Sequence, residues 1–222
     1  SIMEDVRKGK GLKPEYEEIM LAHKVPKYYI ESCNLIKYMF PKGHATAYVM
    51  MAIRVGYFKI YYPLEFYATF FTVRSKQYDI ATMIKGKDAI IERYEELKFR
   101  SRSKNEALSP KEEEILKTLS IAIEMVQRGY KFSNISLEKS DATAFVVDHE
   151  NKSLIPPFIT LDGLGESAAT SVVEARKERE FSSIEDLENR TKLNGTNINQ
   201  LKELGVLKGL SESDQLSLFD FL

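Results

Sequence analysis

The chain has 222 residues, 43% of them apolar and 29% charged, with 32 Lys+Arg against 33 Asp+Glu for a formal net charge of −1. That composition excludes a disordered chain, and the length allows one large domain or two small ones. The single cysteine, Cys33, excludes an intrachain disulfide framework and a multi-cysteine zinc site. It suits a reducing compartment, and a cytoplasmic location is expected. No run approaches the roughly 18 apolar residues of a membrane span, so no membrane partner is expected. The start, Ser1-Ile2-Met3-Glu4-Asp5, has neither an initiator Met nor a signal-peptide pattern and reads as a cut inside a longer protein. The charge is uneven. Residues 1–130 hold 22 Lys+Arg and 17 Asp+Glu, a net +5, and residues 131–222 hold 10 and 16, a net −6. A basic half joined to an acidic half suggests two modules; ordinary surface variation is the plainer reading.

In chain order, the first half reads as helix after helix, and the expected fold class is mainly α. Lys13 to Lys24 has Pro14 early and Tyr16, Ile19, Met20 and His23 at helical spacing. A second helix begins near Pro26 with Tyr29, Ile30, Cys33, Ile36 and Phe40 on its apolar side, and Phe40-Pro41-Lys42-Gly43 breaks it. His44 to Tyr61 is apolar on most sides, as a helix buried between others would be. Pro63 opens a helix through Phe71, and shorter helices are expected over 79–85 and 87–98. Phe99 to Ser109 reads as a basic exposed connection. Ser109-Pro110-Lys111-Glu112 is a good helix start, with its stop at Gly129. Beyond it, 144–147 and 153–155 flank a polar turn as a short β-hairpin, and helical spacing returns after Leu164. The module boundary is placed near residue 130.

The strongest local motif is Leu161-Asp162-Gly163-Leu164-Gly165-Glu166-Ser167-Ala168-Ala169. Two glycines flanking one apolar residue let the backbone turn sharply while Leu164 anchors the loop. Gly165 and its successors then offer backbone N–H groups at a helix start, where phosphate binds well. This is the pattern of a helix-hairpin-helix, which grips DNA backbone without reading sequence; the plain alternative is a Gly-containing turn. Gly163, Gly165, Glu166 and Ser167 are the candidate DNA contacts. A weaker second copy, Leu193-Asn194-Gly195-Thr196-Asn197-Ile198-Asn199-Gln200-Leu201, adds Thr196 and Asn197, though a purely structural repeat reads nearly as well. GLGESA lacks the third glycine of a dinucleotide loop.

A second set of candidates is basic. Arg7-Lys8-Gly9-Lys10-Gly11 and Lys42-Gly43-His44 put four cations near glycine turns that could hold a polyphosphate, with Tyr48 one helical turn beyond His44. Local sequence favours the plainer reading, a solvated face with His44 as a capping or core residue. Near the end, Gln215-Leu216-Ser217-Leu218-Phe219 follows the acidic Ser211-Glu212-Ser213-Asp214. Its apolar residues either fold back on the core or dock into a partner's pocket. Glu112-Glu113-Glu114 reads as a solvated helix face. No carboxylate pair, metal-ligand cluster or Ser/His/Asp arrangement stands out, so neither a catalytic nor a metal residue is expected within the chain.

The run Lys37-Tyr38-Met39-Phe40-Pro41-Lys42-Gly43-His44-Ala45-Thr46-Ala47-Tyr48, with Phe58-Lys59 and Tyr62-Pro63-Leu64-Glu65-Phe66-Tyr67-Ala68, resembles the fingers of C-family replicative DNA polymerases. The likeness to the PolC type is closer still. It takes in Val6-Arg7-Lys8-Gly9-Lys10-Gly11-Leu12, Ile155-Pro156-Pro157-Phe158 ahead of the hairpin, and the QLSLF tail, which looks like a sliding-clamp-binding peptide. Gly43 departs from the alanine or serine expected there.

The resemblance implies three parts. Residues 1–130 are part of the polymerase fingers, 131–210 a tandem helix-hairpin-helix domain on duplex primer-template DNA, and 211–222 a tail that binds the bacterial sliding clamp through Gln215, Leu216, Ser217, Leu218 and Phe219. It implies that Arg7, Lys8, Lys10 and Lys42 contact the incoming dNTP, with His44 and Tyr48 near its base or sugar. It also implies that the metal-binding palm aspartates and their Mg²⁺ lie elsewhere in the parent polymerase, so the fragment alone binds no cofactor and is inactive. The rival is a non-enzymatic helix-hairpin-helix repair accessory protein, which has no need of the FPKGHATAY segment.

Overall fold

Proline punctuates the helix starts. Pro14, Pro63 and Pro110 all stand in the first turn of a helix, where the missing N–H has no intrahelical partner to lose. In the computed structural model, residues 2–103 and 106–213 are described. The fold is mainly helical, with eleven α-helices and one three-stranded sheet among the described residues. The chain divides into two units, residues 1–57 and 58–222.

The first unit holds α1 (Ile2–Arg7), α2 (Pro14–Ala22), α3 (Lys27–Leu35) and most of α4 (Lys42–Tyr61). Its buried side chains are few: Val6, Ile30 and Cys33. Two expectations are corrected here. The helix after Pro26 stops at Leu35, and Ile36 is extended (φ −70°, ψ 120°). The chain must enter Pro41 in an extended conformation, and the Met39 N–H donates to the Arg7 carbonyl (3.0 Å) instead of continuing a helix. Tyr29 and Phe40 are accordingly exposed. The helix over His44 to Tyr61 forms, but none of its residues is buried; Tyr48 and Ile53 are each 66% exposed. Its apolar character is therefore not matched by burial among the described residues.

The second unit begins with the last turn of α4 and continues with α5 (Pro63–Val73), α6 (Ile80–Met83), α7 (Lys87–Arg102) and α8 (Pro110–Gln127). Asp79 caps α6 through its carboxylate, which accepts from the Thr82 N–H (3.2 Å). The α7 helix runs on through Arg102, past the expected stop at Lys98. Arg100 and Arg102 lie in its last turn, where cations complement the helix dipole, and Arg100 pairs with Glu112 of α8 (2.6 Å). Glu112 is thus not a free solvated carboxylate. It also closes a capping box with Ser109, so hydrogen bonds from Arg100 first, and then from Ser109, hold its carboxyl at about 2. Gly129 follows α8 with φ +87°, the left-handed position that favours glycine.

The expected hairpin forms as β2 (Val146–Asp148) against β3 (Ser153–Ile155), antiparallel with Val147 opposite Leu154. A further strand, β1 (Lys131–Phe132), pairs parallel with β3, giving the order β1-β3-β2. Phe132 carries the sheet onto α5, with its ring 5.2 Å from that of Phe71, and Phe145 lies 5.6 Å from the same ring. A 3-10 turn (Phe158–Thr160) then leads to α9 (Glu166–Glu178), α10 (Ile184–Arg190) and α11 (Gly195–Glu203).

One core runs through this unit, from Tyr67, Phe71, Met83 and Leu119 to Leu154, Phe158, Val172 and Leu201. Each such side chain contributes about 1.5–3 kcal/mol on burial. The core does not break near residue 130, where the charge changes sign. Electrostatics fixes the α9–α10 corner. Asp186 is 5% exposed and accepts from Arg179 (2.5 Å), Arg190 (3.0 Å) and the Ser182 N–H (3.2 Å). Burial alone would raise its carboxyl; the two guanidinium groups outweigh burial and hold it below the usual carboxylate range.

Candidate nucleic-acid interface

The first hairpin is anchored by two leucines and turned by one glycine. Leu161 and Leu164 are both buried, and the Leu164 N–H donates to the Leu161 carbonyl (3.2 Å). Gly163 between them has φ +73°, a conformation that costs an L residue about 1–2 kcal/mol. Gly165 differs. It is the N-cap of α9 with an ordinary extended backbone (φ −81°, ψ 156°), and a Cβ built there meets nothing within 4 Å. Neither backbone strain nor internal packing requires glycine at 165; the absent side chain leaves open space over the helix start.

The first intrahelical donors of α9 are the Ala168 and Ala169 N–H groups, both to the Gly165 carbonyl (3.1 and 3.0 Å). The N–H groups of Gly165, Glu166 and Ser167 precede them at an exposed helix N-terminus with no side-chain cap. Glu166 can offer a phosphate only its N–H. Its carboxylate suits the positive end of the helix dipole instead.

The second hairpin is built from other parts. Asn194 caps α11 through its side chain, which accepts from the Asn197 N–H (3.0 Å), and Asn197 Oδ1 accepts from the Asn194 N–H (3.2 Å). Asn197 is 3% exposed. Both its N–H and its amide oxygen are thus committed to the cap at the helix start. Thr196 remains exposed one residue earlier.

Lys192 and Gln200 tie the two hairpins together and Lys111 ties the first to α8; Gln200 belongs to the second motif copy, whereas the two lysines lie outside both copies. Lys192 Nζ donates to Ser167 Oγ at the start of α9, and the Lys192 N–H donates to Ser171 Oγ, each at 2.9 Å. Gln200 of α11 donates to the Asp162 carbonyl in the first hairpin (3.1 Å), and Lys111 of α8 pairs with the Asp162 carboxylate (2.7 Å). For Lys192 the available signal was its position immediately before Leu193-Asn194-Gly195. Lys192, Ser167, Ser171 and Glu166 line one open cleft of about 420 Å³.

In the first unit, the basic segment 7–11 lies against residues 37–39, just ahead of Lys42, through backbone. Gly9, at φ +73°, lies so close to the Lys37 carbonyl that a Cβ would sit 1.9 Å from its oxygen, and Arg7 O accepts from Met39. The cations are not bare. Arg7 and Lys8 share Glu4 (3.0 and 2.9 Å), whose carboxyl hydrogen bonds from Arg7 and then Lys8 lower to about 2, and Lys10 is 4.0 Å from Asp5. Lys42 and His44 stand in the first turn of α4. The His44 ring stacks on Phe40 (4.8 Å, 10° between planes) and meets Tyr48 at 4.4 Å. Gln215, Leu216, Ser217, Leu218 and Phe219 lie outside the described residues. Among the described residues, no group of three or more His, Cys, Asp or Glu side chains could hold a metal ion, and no helix is long and apolar enough to cross a membrane.

The hairpins, their anchoring leucines and the helix starts they present define a helix-hairpin-helix unit, and a family model described as a helix-hairpin-helix motif matches residues 129–216. The similarity extends over nearly all the rest. The chain is 52% identical over 220 residues to a protein of Ureaplasma parvum serovar 3 named DNA polymerase III PolC-type. Proteins of the same name from Halalkalibacterium halodurans and Bacillus subtilis are 52% and 50% identical to it over 218 residues. Each match covers 98% of this chain and 15% of the relative, so the chain corresponds to one segment of much longer proteins. The resemblance to PolC-type polymerases read from the sequence therefore holds across the chain as homology to that segment.

Proposed function

We propose that this chain is the nucleotide-side and duplex-holding portion of a bacterial replicative DNA polymerase, acting in DNA-directed DNA synthesis. The observation that carries this reading is identity of about 50% to PolC-type relatives over 98% of the chain. A DNA-binding accessory protein would account for the hairpin match alone. It would not account for a match that runs over 98% of the chain and so takes in the FPKGHATAY segment, ahead of residue 129.

In this reading residues 1–130 belong to the fingers. Arg7, Lys8, Lys10 and Lys42 meet the triphosphate of the incoming dNTP, exchanging Glu4 and Asp5 for phosphate oxygens where these pair with them. His44 and Tyr48, held in an aromatic stack, face its base or sugar. Residues 131–210 hold the primer-template duplex by its backbone. Gly165, Glu166 and Ser167 present N–H groups, and Gly165 lets a phosphate approach where a Cβ would stand. Gly163 shapes the turn, and Thr196 serves the second helix start.

The tail, 211–222, ties the polymerase to the sliding clamp through Gln215 to Phe219. Phosphoryl transfer needs Mg²⁺ held by carboxylates. Among the described residues no group of three or more His, Cys, Asp or Glu side chains could hold a metal ion, and in this reading those ions belong to the palm of the parent protein, in the cytoplasm. Two outcomes test the assignment. The isolated 222 residues give no primer extension, and extension by them alone contradicts it. The parent polymerase is captured by the clamp, and Phe219→Ala abolishes capture; undiminished capture removes the clamp from the account.

A further inference from the structure

The second unit carries an open pocket of about 420 Å³ in which tyrosines and cations are mixed, and its described lining lies outside both helix-hairpin-helix copies. Two of the tyrosines come from the junction of two helices. Tyr61 ends α4, and Tyr62 is the N-cap of α5, held out of helical backbone (φ −133°, ψ 57°) by the proline that follows it. They are 65% and 48% exposed. The third, Tyr130, follows α8. Gly129 turns the chain between Arg128 and Tyr130, and both line the pocket. Arg128 is held in place, donating to Tyr67 Oη (3.1 Å) and to the Lys59 carbonyl (3.0 Å). His149 and Lys152 come from the turn between β2 and β3. Asp148 pins that turn by accepting from the Asn151 N–H (3.1 Å) and its side-chain amide (2.8 Å). The Lys152 carbonyl accepts from the Lys131 N–H (3.2 Å), which ties the turn to β1.

We infer that this pocket binds single-stranded nucleic acid, the unpaired part of the template, with a base against the rings of Tyr61 and Tyr62 and its phosphates on Arg128 and Lys152. The inference rests on the polymerase reading above, in which the strand to be copied is unpaired. Charge and ring exposure together favour this occupant. The two permanent cations outnumber the one carboxylate among the described lining residues, Glu65, which His149 Nε2 occupies at 3.1 Å. Duplex DNA stacks its bases on one another and would offer such a pocket phosphates alone. An unpaired base has a free face, and stacking on an aromatic ring is indifferent to sequence because every base has one. A site that must pass any template needs that indifference.

The test uses the parent polymerase and two DNAs of equal duplex length, one blunt and one with an unpaired 5′ template overhang, and reads affinity by fluorescence anisotropy. A Tyr61→Ala/Tyr62→Ala variant should bind the overhang DNA about fivefold or more weakly than the unmodified enzyme, with blunt-duplex affinity unchanged. Tyr61→Phe/Tyr62→Phe keeps both rings and should bind both DNAs as the unmodified enzyme does. Lys152→Gln should flatten the slope of log affinity against log salt by about 0.7 on the overhang DNA, the value for one phosphate of a single strand, and leave the blunt-duplex slope alone. Equal overhang affinity in the alanine variant and the unmodified enzyme overturns the inference. So does an equal loss on blunt duplex, or an equal loss in the phenylalanine variant. If the alanine variant does not fold, the Lys152→Gln slopes decide, and an unchanged overhang slope overturns the inference. Failure of the wider reading looks different: an unmodified parent that binds neither DNA and extends no primer rejects the polymerase reading, and the template site with it.

Discussion

Gly163 and Gly165 stand two residues apart in one motif, yet the structure gives them different reasons to be glycine. Gly163 needs its left-handed backbone, so Gly163→Ala costs about 1–2 kcal/mol of stability, read as a lowered unfolding midpoint. Gly165 has an ordinary backbone and open space around it, so Gly165→Ala changes stability by less than about 1 kcal/mol. Its effect falls on duplex affinity, since a methyl group would occupy the approach to the α9 N–H groups. Fluorescence anisotropy with duplex DNA checks this; equal affinity for the Gly165→Ala variant and the parent contradicts the phosphate site. Both glycines were legible as a motif, because a tight turn before a helix is written in adjacent residues. The separate reasons were not legible, because φ and free space belong to three-dimensional structure. Asn197 shows the same limit. The sequence offered a polar residue beside a glycine, and only the reciprocal bonds with Asn194 reveal that it closes a cap.

Among the elements, α8 was the most legible, since its cap, its proline and its terminating glycine are all local signals. Its start also gives a pH dependence with a definite sign. Glu112 has its carboxyl at about 2 in the fold against an ordinary 4.5. Its stabilising contribution is full above about pH 4.5 and is lost as pH falls toward 2. At the other extreme, burial pushes the phenols of Tyr67 and Tyr78 up to about 12 from 10. Stability from keeping them neutral is present below pH 10 and is lost as pH rises through 12. Thermal unfolding followed by circular dichroism across both ranges should fall at each end. Glu112→Gln should flatten the acid limb, and an undiminished acid limb in that variant removes the assignment. The elements that escaped the sequence are the ones fixed by distant partners. Strand β1 is two residues long and exists through pairing with Ser153 and Leu154, far along the chain. The apolar pattern of α4 was read correctly as hydrophobic, but no residue of α4 is buried among the described residues, because burial depends on an opposing surface that local sequence does not specify.

For the whole molecule, the total charge of −1 conceals a basic first portion and an acidic second one. A duplex held mainly by backbone N–H groups releases few counterions, so binding by this segment alone should be weak and only shallowly dependent on salt. The core of the second unit runs without a break past the change of charge, so surface composition and packing divide the chain at different places. Charge runs are local in sequence, whereas the core joins residues as distant as Leu64 and Leu207, which explains why the first could be read and the second could not.

The central claim is that the segment carrying Lys42, His44 and Tyr48 serves an incoming nucleotide, as a polymerase needs and a simple DNA-binding module does not. Steady-state primer extension by the parent polymerase with Lys42→Ala tests it directly. Loss of one charge-assisted phosphate contact is worth about 1.5–3 kcal/mol, or roughly tenfold or more. The KM for dNTP should therefore rise by at least about tenfold while affinity for the primer-template stays unchanged. An unaltered KM for dNTP in the Lys42→Ala enzyme would contradict the claim.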